Sequence, residues 1–121
     1  MEIKFAETEE DLKKCLEVIQ ALRPHLTLDR FLSLIPEMKK ESYRLAFIEE
    51  NGKAISACGF RYMTTLFEGR FIYIDDLSTL PEARGKGCAG ALFDFVVEIA
   101  KVEGLPAVHL DSGHQRFDAH R

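Results

Sequence analysis

The stretch Pro81-Glu82-Ala83-Arg84-Gly85-Lys86-Gly87-Cys88-Ala89-Gly90 determines how the rest of the chain is interpreted. A strand-like run, Phe71 to Leu80, precedes it, and a helix-like run, Ala91 to Glu103, follows it. Glycines between a strand and a helix let the backbone curve closely around a ligand. The free N–H groups and the positive dipole end of the following helix then face that ligand. Together with the cations Arg84 and Lys86, this stretch predicts a pocket for a phosphorylated cofactor.

The composition of the chain bounds the possible functions. The 121 residues are 46% apolar and 30% charged, which is typical of one soluble globular domain, here taken as 1–121. The net charge of −4 gives little electrostatic support to nucleic-acid binding. No apolar run approaches the roughly 20 residues of a membrane span, so we expect no membrane partner. The first residues, Met1 to Phe5, lack the pattern of a signal peptide, and three cysteines without a CxxC pair favour the cytoplasm.

The first third of the chain predicts one strand and two helices. Ile3 to Ala6 is strand-like, and Thr8 is a candidate N-cap with Asp11 completing a near capping box. Pro24 ends the first helix. Thr27 or Asp29 can cap a second helix, which we expect to be short or kinked because Pro36 falls late in it.

The centre of the chain predicts three consecutive antiparallel strands, Tyr43–Glu49, Lys53–Thr64 and Arg70–Leu80. Asn51-Gly52 between the first two is a strong signal for a type I′ hairpin turn, and Glu68-Gly69 marks a second tight turn.

After the glycine-rich stretch and its helix, Ala107–Asp111 is a fifth strand, and the strand–helix–strand crossover joins parallel strands. The element order β-α-α-β-β-β-α-β predicts an α/β fold with a mixed, mostly antiparallel sheet flanked by helices.

Three interpretations of the glycine-rich stretch compete. A Walker A loop fails, because Gly90 is followed by Ala91-Leu92 instead of Lys-Ser/Thr. Gly85-x-Gly87-x-x-Gly90 matches a dinucleotide-binding fingerprint, with Asp111 about 20 residues further on. That fingerprint normally follows the first strand of a series of βαβ units, and here it follows the fourth. The third interpretation is the pattern Arg84-x-x-Gly87-x-Ala89 at the start of a long helix.

This third pattern, with the approach Tyr73-Ile74-Asp75-Asp76-Leu77-Ser78-Thr79-Leu80 and the element order, resembles the GNAT superfamily of acyl-CoA-dependent N-acetyltransferases over nearly the whole chain. The family signature is Gln/Arg-x-x-Gly-x-Gly/Ala in this setting. The resemblance implies that acetyl-CoA is the co-substrate and that loop amides bind its pyrophosphate. The corresponding residues here are Arg84, Gly85, Lys86, Gly87, Cys88 and Ala89.

The resemblance also implies how the thioester is held and attacked. In the family the fourth and fifth strands splay apart, and the pantetheine arm inserts between them. Backbone groups of Leu77, Ser78 and Thr79 would pair with that arm, and the N–H of Leu77 would polarise the thioester carbonyl. The amine attacks directly, so a carboxylate is needed to remove its proton. Asp75 and Asp76 are the candidates, and strand alternation lets only one face the substrate, with Asp76 favoured. The alternative is that both are structural.

Other candidate sites have weaker support. Cys88 at a helix start could be a nucleophile, but no histidine is placed to activate it, and it is interpreted as a small residue that fills the loop. Cys15 and Cys58 are expected in the core. His109, Asp111, His114, Asp118 and His120 form a polar cluster near the C-terminus. A metal between His114 and Asp118 is conceivable, but we interpret the cluster as a solvated helix start and predict no metal site.

The chain differs from the family pattern at its C-terminal end. Family members usually continue with a longer helix, often carrying a tyrosine that protonates the CoA thiolate, and with two further strands. The last tyrosine here is Tyr73, so the resemblance supplies no general acid. An uncovered sheet edge leads us to expect a homodimer. The functions left open are an N-acetyltransferase for an unidentified amine, an acyl-CoA-binding module with little catalysis, and a dinucleotide-binding protein.

Overall fold

The computed structural model describes residues 1–110 and contains one five-stranded sheet with three α-helices. The elements follow the predicted order. In chain order they are β1 Ile3–Phe5, α1 Glu9–Leu22, α2 Leu28–Lys40, β2 Arg44–Glu50, β3 Lys53–Thr65, β4 Gly69–Thr79, a single 3₁₀ turn at Pro81–Ala83, α3 Cys88–Val102 and β5 Val108–Leu110.

The strands lie side by side in chain order, β1-β2-β3-β4-β5. All neighbouring strands are antiparallel except β4 and β5, which are parallel because α3 carries the chain back across the sheet. The predicted mixed, mostly antiparallel sheet is confirmed. At the β2–β3 turn, Asn51 and Gly52 have φ angles of 54° and 82°, which are the positive values that a type I′ turn requires.

The two N-terminal helices begin as the sequence indicates. The Thr8 side chain accepts a hydrogen bond from the N–H of Asp11, and the Asp11 carboxylate accepts one from the N–H of Thr8, so the capping box is complete. Thr27, and not Asp29, caps α2. The expectation of a short α2 is wrong, because the helix continues through Pro36 to Lys40 over 13 residues. Buried Phe31 and Ile35 on its inner face stabilise it against the missing hydrogen bond of Pro36.

The two sheet faces are covered by different helices. On one face the ring of Phe60 in β3 lies 6.5 Å from that of Phe5, which in turn lies 5.6 Å from Phe95 of α3. The next residue back along β3, Gly59, faces the opposite side and contacts Tyr43 at the end of the α2–β2 connection. α1 and α2 cover this second face, where α1 packs against β3 and β4. Within residues 1–110, no helix has the length and apolar character needed to span a membrane.

Candidate active site

The second half of β4 has one edge without a partner strand among residues 1–110. On one side β4 pairs with β3 as far as Thr79, opposite Ser56. On the other side, the described residues of β5 pair with Ile72, Tyr73 and Ile74. In the part of the chain that the structure describes, no strand pairs with the outer edge of β4 from 75 to 79. An unpaired strand edge presents N–H and C=O groups that another extended chain can use. Leu77, Ser78 and Thr79, predicted to bind the cofactor arm, lie in this segment, where the Ser78 carbonyl faces β3 and accepts a hydrogen bond from the Ser56 hydroxyl.

A β-bulge lies in β4 directly after Ile74, the residue opposite Leu110 of β5. Gly59 of β3 is opposite Asp76, but the next residue, Phe60, is opposite Ile74, so Asp75 is an extra residue on β4. A bulge bends its strand and increases the local twist. This bulge therefore lies between the part of β4 that pairs with Val108–Leu110 and the segment 75–79.

The bulge also changes where the two aspartates point. The Asp76 carboxylate accepts a hydrogen bond from the Tyr43 hydroxyl, and the Asp75 carboxylate accepts one from Arg61. The guanidinium carbon of Arg61 lies 5.8 Å from the centroid of the Tyr43 ring. Both carboxylates therefore lie on the face that α1 and α2 cover. The expected alternation, with only one of them on the substrate side, is wrong because the extra residue interrupts the strand period.

Asp76 is held by two residues from elsewhere in the chain. Its Oδ1 accepts hydrogen bonds from Nε and Nη2 of Arg23, at 3.2 and 3.0 Å, and its Oδ2 accepts one from the Tyr43 hydroxyl at 2.8 Å. Nη2 of Arg23 also donates to the backbone carbonyl of Asp75 at 3.1 Å. The Asp76 side chain is 13% exposed. Both of its carboxylate oxygens are thus occupied by donors of the protein itself.

Tyr43 is a hydrogen-bond donor over the whole ordinary pH range. It is 4% exposed, and burial, reinforced by the negative charge of Asp76, raises the pKa of its hydroxyl well above the usual value. The hydroxyl therefore stays protonated and faces Asp76. Its ring crosses Gly59 so closely that any β-carbon at that position would collide with it.

Asp75 is more accessible than Asp76. Its Oδ2 accepts a 2.8 Å hydrogen bond from Nε of Arg61, and its side chain is 21% exposed. Arg61 divides its charge, because its Nη1 also donates to Glu41 at 2.9 Å. Desolvation is the largest influence on Asp75, and it raises the pKa of the carboxyl although the bond to Arg61 opposes the shift. Asp75 thus binds a proton more readily than an ordinary aspartate.

The sequence analysis did not identify the partners of the two aspartates, Arg23, Tyr43 and Arg61. Each comes from a distant part of the chain, and no local pattern connects them to β4. Gly59 carried a usable signal, since a glycine inside a strand often marks a bulge or a close approach by another group.

The glycine-rich stretch forms the predicted turn into a helix. Gly85 and Gly87 have φ angles of 87° and 82°, a conformation that side chains other than glycine rarely adopt. The helix begins at Cys88 instead of the predicted Ala91, so Gly90 belongs to its first turn. Gly87 is the N-cap and offers no side chain to the first N–H groups of α3. Those groups are therefore available to an external acceptor.

These residues enclose a concave site of about 340 Å³ next to the free end of β4. A β-carbon built on Gly85 or Gly87 meets no atom within 4 Å, so the space over the loop is open to a ligand. Lys86 belongs to the turn but does not line this site, and its Nζ forms a 3.2 Å ion pair with Glu50. The lining residues are Thr79, Ala83, Arg84, Gly85, Gly87, Cys88, Ala89 and Gly90.

The cysteines do not form a reactive centre in the described residues. Cys15, Cys58 and Cys88 are all free thiols and buried. Burial raises the pKa of Cys15 to about 12 and that of Cys58 further, so these thiols remain protonated. Cys88 packs into the core as the first residue of α3, in agreement with its interpretation as a small filling residue.

The predicted polar cluster near the C-terminus falls mostly outside the described residues. Of its members only His109 is described, and its Nε2 lies 2.6 Å from Glu68 Oε1, which joins β5 to the β3–β4 turn. Asp111, His114, Asp118 and His120 lie outside the described residues. Within residues 1–110, no three His, Cys, Asp or Glu side chains are grouped so as to hold a metal ion.

Comparisons with known proteins agree with this geometry. Residues 5–121 match the sequence model of the Acetyltransferase (GNAT) family. The chain is 32% identical over 120 residues to the uncharacterized N-acetyltransferase YhdJ of Bacillus subtilis (strain 168), covering 98% of this chain and 84% of that protein.

Solved structures show the same fold. A GNAT family acetyltransferase of Staphylococcus aureus superposes with a TM-score of 0.81 at 18% identity, covering 93% of this chain and 86% of that one. A predicted acetyltransferase of Clostridium acetobutylicum, solved with acetyl-CoA, superposes with a TM-score of 0.68 at 18% identity, covering 97% and 92%.

Proposed function

Because the chain belongs to the GNAT family of acetyltransferases, we propose that it transfers an acetyl group from acetyl-CoA to a primary amine of a small molecule or a protein. The observation that carries the proposal is the continuity between the edge of β4 that has no partner strand within residues 1–110 and the open glycine turn at the start of α3. An extended arm on the edge and a diphosphate on the turn are what acetyl-CoA requires at neighbouring positions.

The glycine turn has the donors that a pyrophosphate needs. Gly85 and Gly87 leave open space where phosphate oxygens would lie, and the first N–H groups of α3 point toward an anion. Arg84 and Lys86 supply positive charge. The acetyl-CoA found with the Clostridium acetobutylicum acetyltransferase supports the same ligand here. The backbone groups proposed to bind it belong to Leu77, Ser78, Thr79, Arg84, Gly85, Lys86, Gly87, Cys88 and Ala89.

The chemistry proposed is direct attack of the amine on the thioester. A lysine-like amine has a pKa of about 10.4 and arrives as an ammonium ion, so a carboxylate, from Asp75 or Asp76, must take one proton. The neutral nitrogen attacks the carbonyl carbon while the N–H of Leu77 stabilises the developing oxyanion. The C–N bond forms and the C–S bond breaks. The sulfur leaves with its electron pair and takes a proton from solvent, and the nitrogen releases its second proton.

Calorimetric titration with acetyl-CoA tests the proposed ligand. We expect micromolar binding to the wild-type chain and none to Gly87→Glu, because the new carboxylate would occupy the phosphate position. Gly104→Glu is the matched control, since Gly104 has a similar φ of 72° and open surroundings but follows the other end of α3. A folded wild-type protein that does not bind acetyl-CoA would contradict the proposal. Binding of NAD(H) instead would favour a dinucleotide-binding protein.

Turnover distinguishes an enzyme from a binding module. A panel of diamines, amino sugars and peptides with free amino groups is incubated with acetyl-CoA, and the released thiol is measured. We expect at least one amine to release thiol in proportion to enzyme. Tight acetyl-CoA binding without release by any amine would identify an acyl-CoA-binding module.

The proposal includes a homodimer in the cytoplasm. Leu66 and Phe67 at the tip of the β3–β4 hairpin are fully exposed apolar side chains, of the kind that a second subunit can cover. The buried free thiols suit a reducing compartment. Light scattering at micromolar concentration tests the dimer, and a monodisperse monomer would contradict it.

A further inference from the structure

We propose that the two neighbouring carboxylates have different tasks: Asp76, clamped by Arg23 and Tyr43, is a positioning residue, and Asp75 is the base that accepts the proton of the amine. This assignment rests on the proposed acetyl transfer. It reverses the preference for Asp76 that the sequence suggested, and the reason is the bulge in β4.

Donors of the protein take three of the roughly four acceptor positions of the Asp76 carboxylate. Its Oδ1 accepts from two nitrogens of Arg23 and its Oδ2 accepts from the Tyr43 hydroxyl. Hydrogen bonds to a charged group are stronger than neutral ones, and the Tyr43 donor is buried. An amine could therefore reach only the remaining position on Oδ2 without displacing Arg23 or Tyr43.

The clamp fixes both residues of the bulge. Nη2 of Arg23 donates to the Asp76 carboxylate and also to the backbone carbonyl of Asp75. Arg23 caps the C-terminus of α1, so this contact ties the end of the helix to β4. The next residue of β4 is Leu77, whose N–H is the proposed oxyanion donor. The clamp therefore holds the N–H of Leu77 in place. This matters for catalysis, because a misplacement of about 1 Å can reduce a rate about 100-fold.

Asp75 has fewer hydrogen bonds than Asp76, and its side chain is more exposed. Arg61 donates to its Oδ2, while among residues 1–110 no hydrogen bond to its Oδ1 is formed. Its carboxylate lies on the face of the sheet that α1 and α2 cover, and its side chain is 21% exposed, compared with 13% for Asp76. The raised pKa of Asp75 adds to this geometric argument, since a base works best when its pKa approaches the working pH.

The test alters the two carboxylates and the Tyr43 hydroxyl one at a time. The variants are Asp75→Asn, Asp76→Asn and Tyr43→Phe, with Tyr62→Phe as the control. Tyr62→Phe also removes one hydroxyl, but that hydroxyl donates to Glu103 on the opposite face of the sheet. Each variant is first titrated with acetyl-CoA, which separates loss of the site from loss of chemistry.

We expect Asp75→Asn to bind acetyl-CoA within about twofold of wild type, to lose about 10²–10⁴ in kcat, and to lose the acid limb of the profile of kcat/KM against pH. Asp75→Glu should restore part of the rate. Tyr43→Phe and Asp76→Asn should lower kcat by about 10- to 100-fold and keep the acid limb. Tyr62→Phe should match wild type. An acid limb that survives in Asp75→Asn and disappears in Asp76→Asn would overturn the assignment.

Nuclear magnetic resonance tests the assignment even if no amine is turned over, so its failure is separable from that of the proposed function. Tyr43→Phe should shift the backbone amide resonances of Asp75, Asp76 and Leu77, and Tyr62→Phe should not. The carboxyl carbon of Asp75 should titrate above the ordinary aspartate range. Unshifted amides would overturn the clamp, and an ordinary or lowered titration of Asp75 would overturn its role as the base.

Discussion

The side chain of Tyr43 lies across Gly59 and occupies the space that a β-carbon at residue 59 would need. This packing brings the Tyr43 hydroxyl to the Asp76 carboxylate, whose residue is opposite Gly59 in the β3–β4 register. Gly59 has an ordinary φ angle, so its requirement for glycine comes from the ring above it and not from the backbone. Because Gly59 has no side chain, Tyr43 can lie across β3 and hold the Asp76 carboxylate on β4.

Gly59→Ala should destabilise the protein strongly. The new methyl group forces Tyr43 out of a buried position, and the hydrogen bond to Asp76 is lost with it. Overpacking together with loss of a bond to a charged group predicts a decrease of about 3 kcal/mol in the free energy of unfolding. Chemical denaturation measures this change.

Gly90→Ala is the matched control for that experiment. Gly90 is helical, and a β-carbon there meets no atom within 4 Å. Alanine should therefore leave the stability unchanged or raise it by about 0.5–1 kcal/mol, because it favours a helix over glycine. If the two variants have equal stability, Tyr43 does not pack as described.

Asp75 should make the protein less stable as the pH rises. Its pKa in the folded state lies above the ordinary value of 3.8, so the folded protein binds the proton more tightly than the unfolded chain. The contribution of Asp75 is complete below the unfolded pKa and is lost as the pH rises through the folded pKa. Asp75→Asn removes this dependence, so its stability relative to wild type should increase between about pH 3 and pH 7. Urea denaturation at several pH values measures the difference.

Asp11→Asn should show the opposite dependence. Hydrogen bonds from the backbone N–H groups of Glu7 and Thr8 lower the pKa of Asp11, so its contribution is present above the unfolded pKa and lost as the pH falls. Relative to wild type, this variant should become less stable as the pH rises over the same range. Parallel curves for the two variants would mean that Asp75 is not desolvated.

The capping box of α1 gives a prediction of local stability. Thr8→Ala removes the acceptor for the Asp11 N–H and should lower the free energy of unfolding by about 1 kcal/mol. Thr8→Ser keeps a hydroxyl at the same position and should retain most of the stability. Thermal unfolding of both variants checks this, and an equal loss in the serine variant would show that the methyl group of Thr8, not its oxygen, matters.

Local signals in the sequence were sufficient for the order of the elements and for the glycine turn. Thr8 with Asp11, Asn51-Gly52 and the turn before α3 each depend on hydrogen bonds or φ angles within a few residues, which sequence patterns encode directly. The start of α3 was placed too late because Gly90 is a poor helix former, yet in the first turn it is tolerated.

Local sequence patterns could not predict the geometry around Asp75 and Asp76. Whether Asp75 and Asp76 share a face depends on a bulge whose position is fixed by pairing with Gly59 on another strand. The donors Arg23 and Tyr43 are 53 and 33 residues away from Asp76. These long-range contacts form because α1 and the α2–β2 connection pack against β4. The alternation of side chains along β4 does not predict them.

Glu50 should weaken the binding of acetyl-CoA, because it neutralises a cation of the glycine turn. Lys86 forms a 3.2 Å ion pair with Glu50 in which both side chains are about half exposed, at 47% and 51%. Such exposed pairs are worth about 0.2–1 kcal/mol. Glu50→Gln releases Lys86 to interact with phosphate and should tighten acetyl-CoA binding by about two- to threefold at low salt. Glu37→Gln is the matched control, since it breaks a similar pair with Lys40 at the end of α2, away from the turn. Calorimetry at two salt concentrations separates a local from a general charge effect: the gain from Glu50→Gln should shrink at high salt, and an equal gain from Glu37→Gln would show that Lys86 does not contact the ligand.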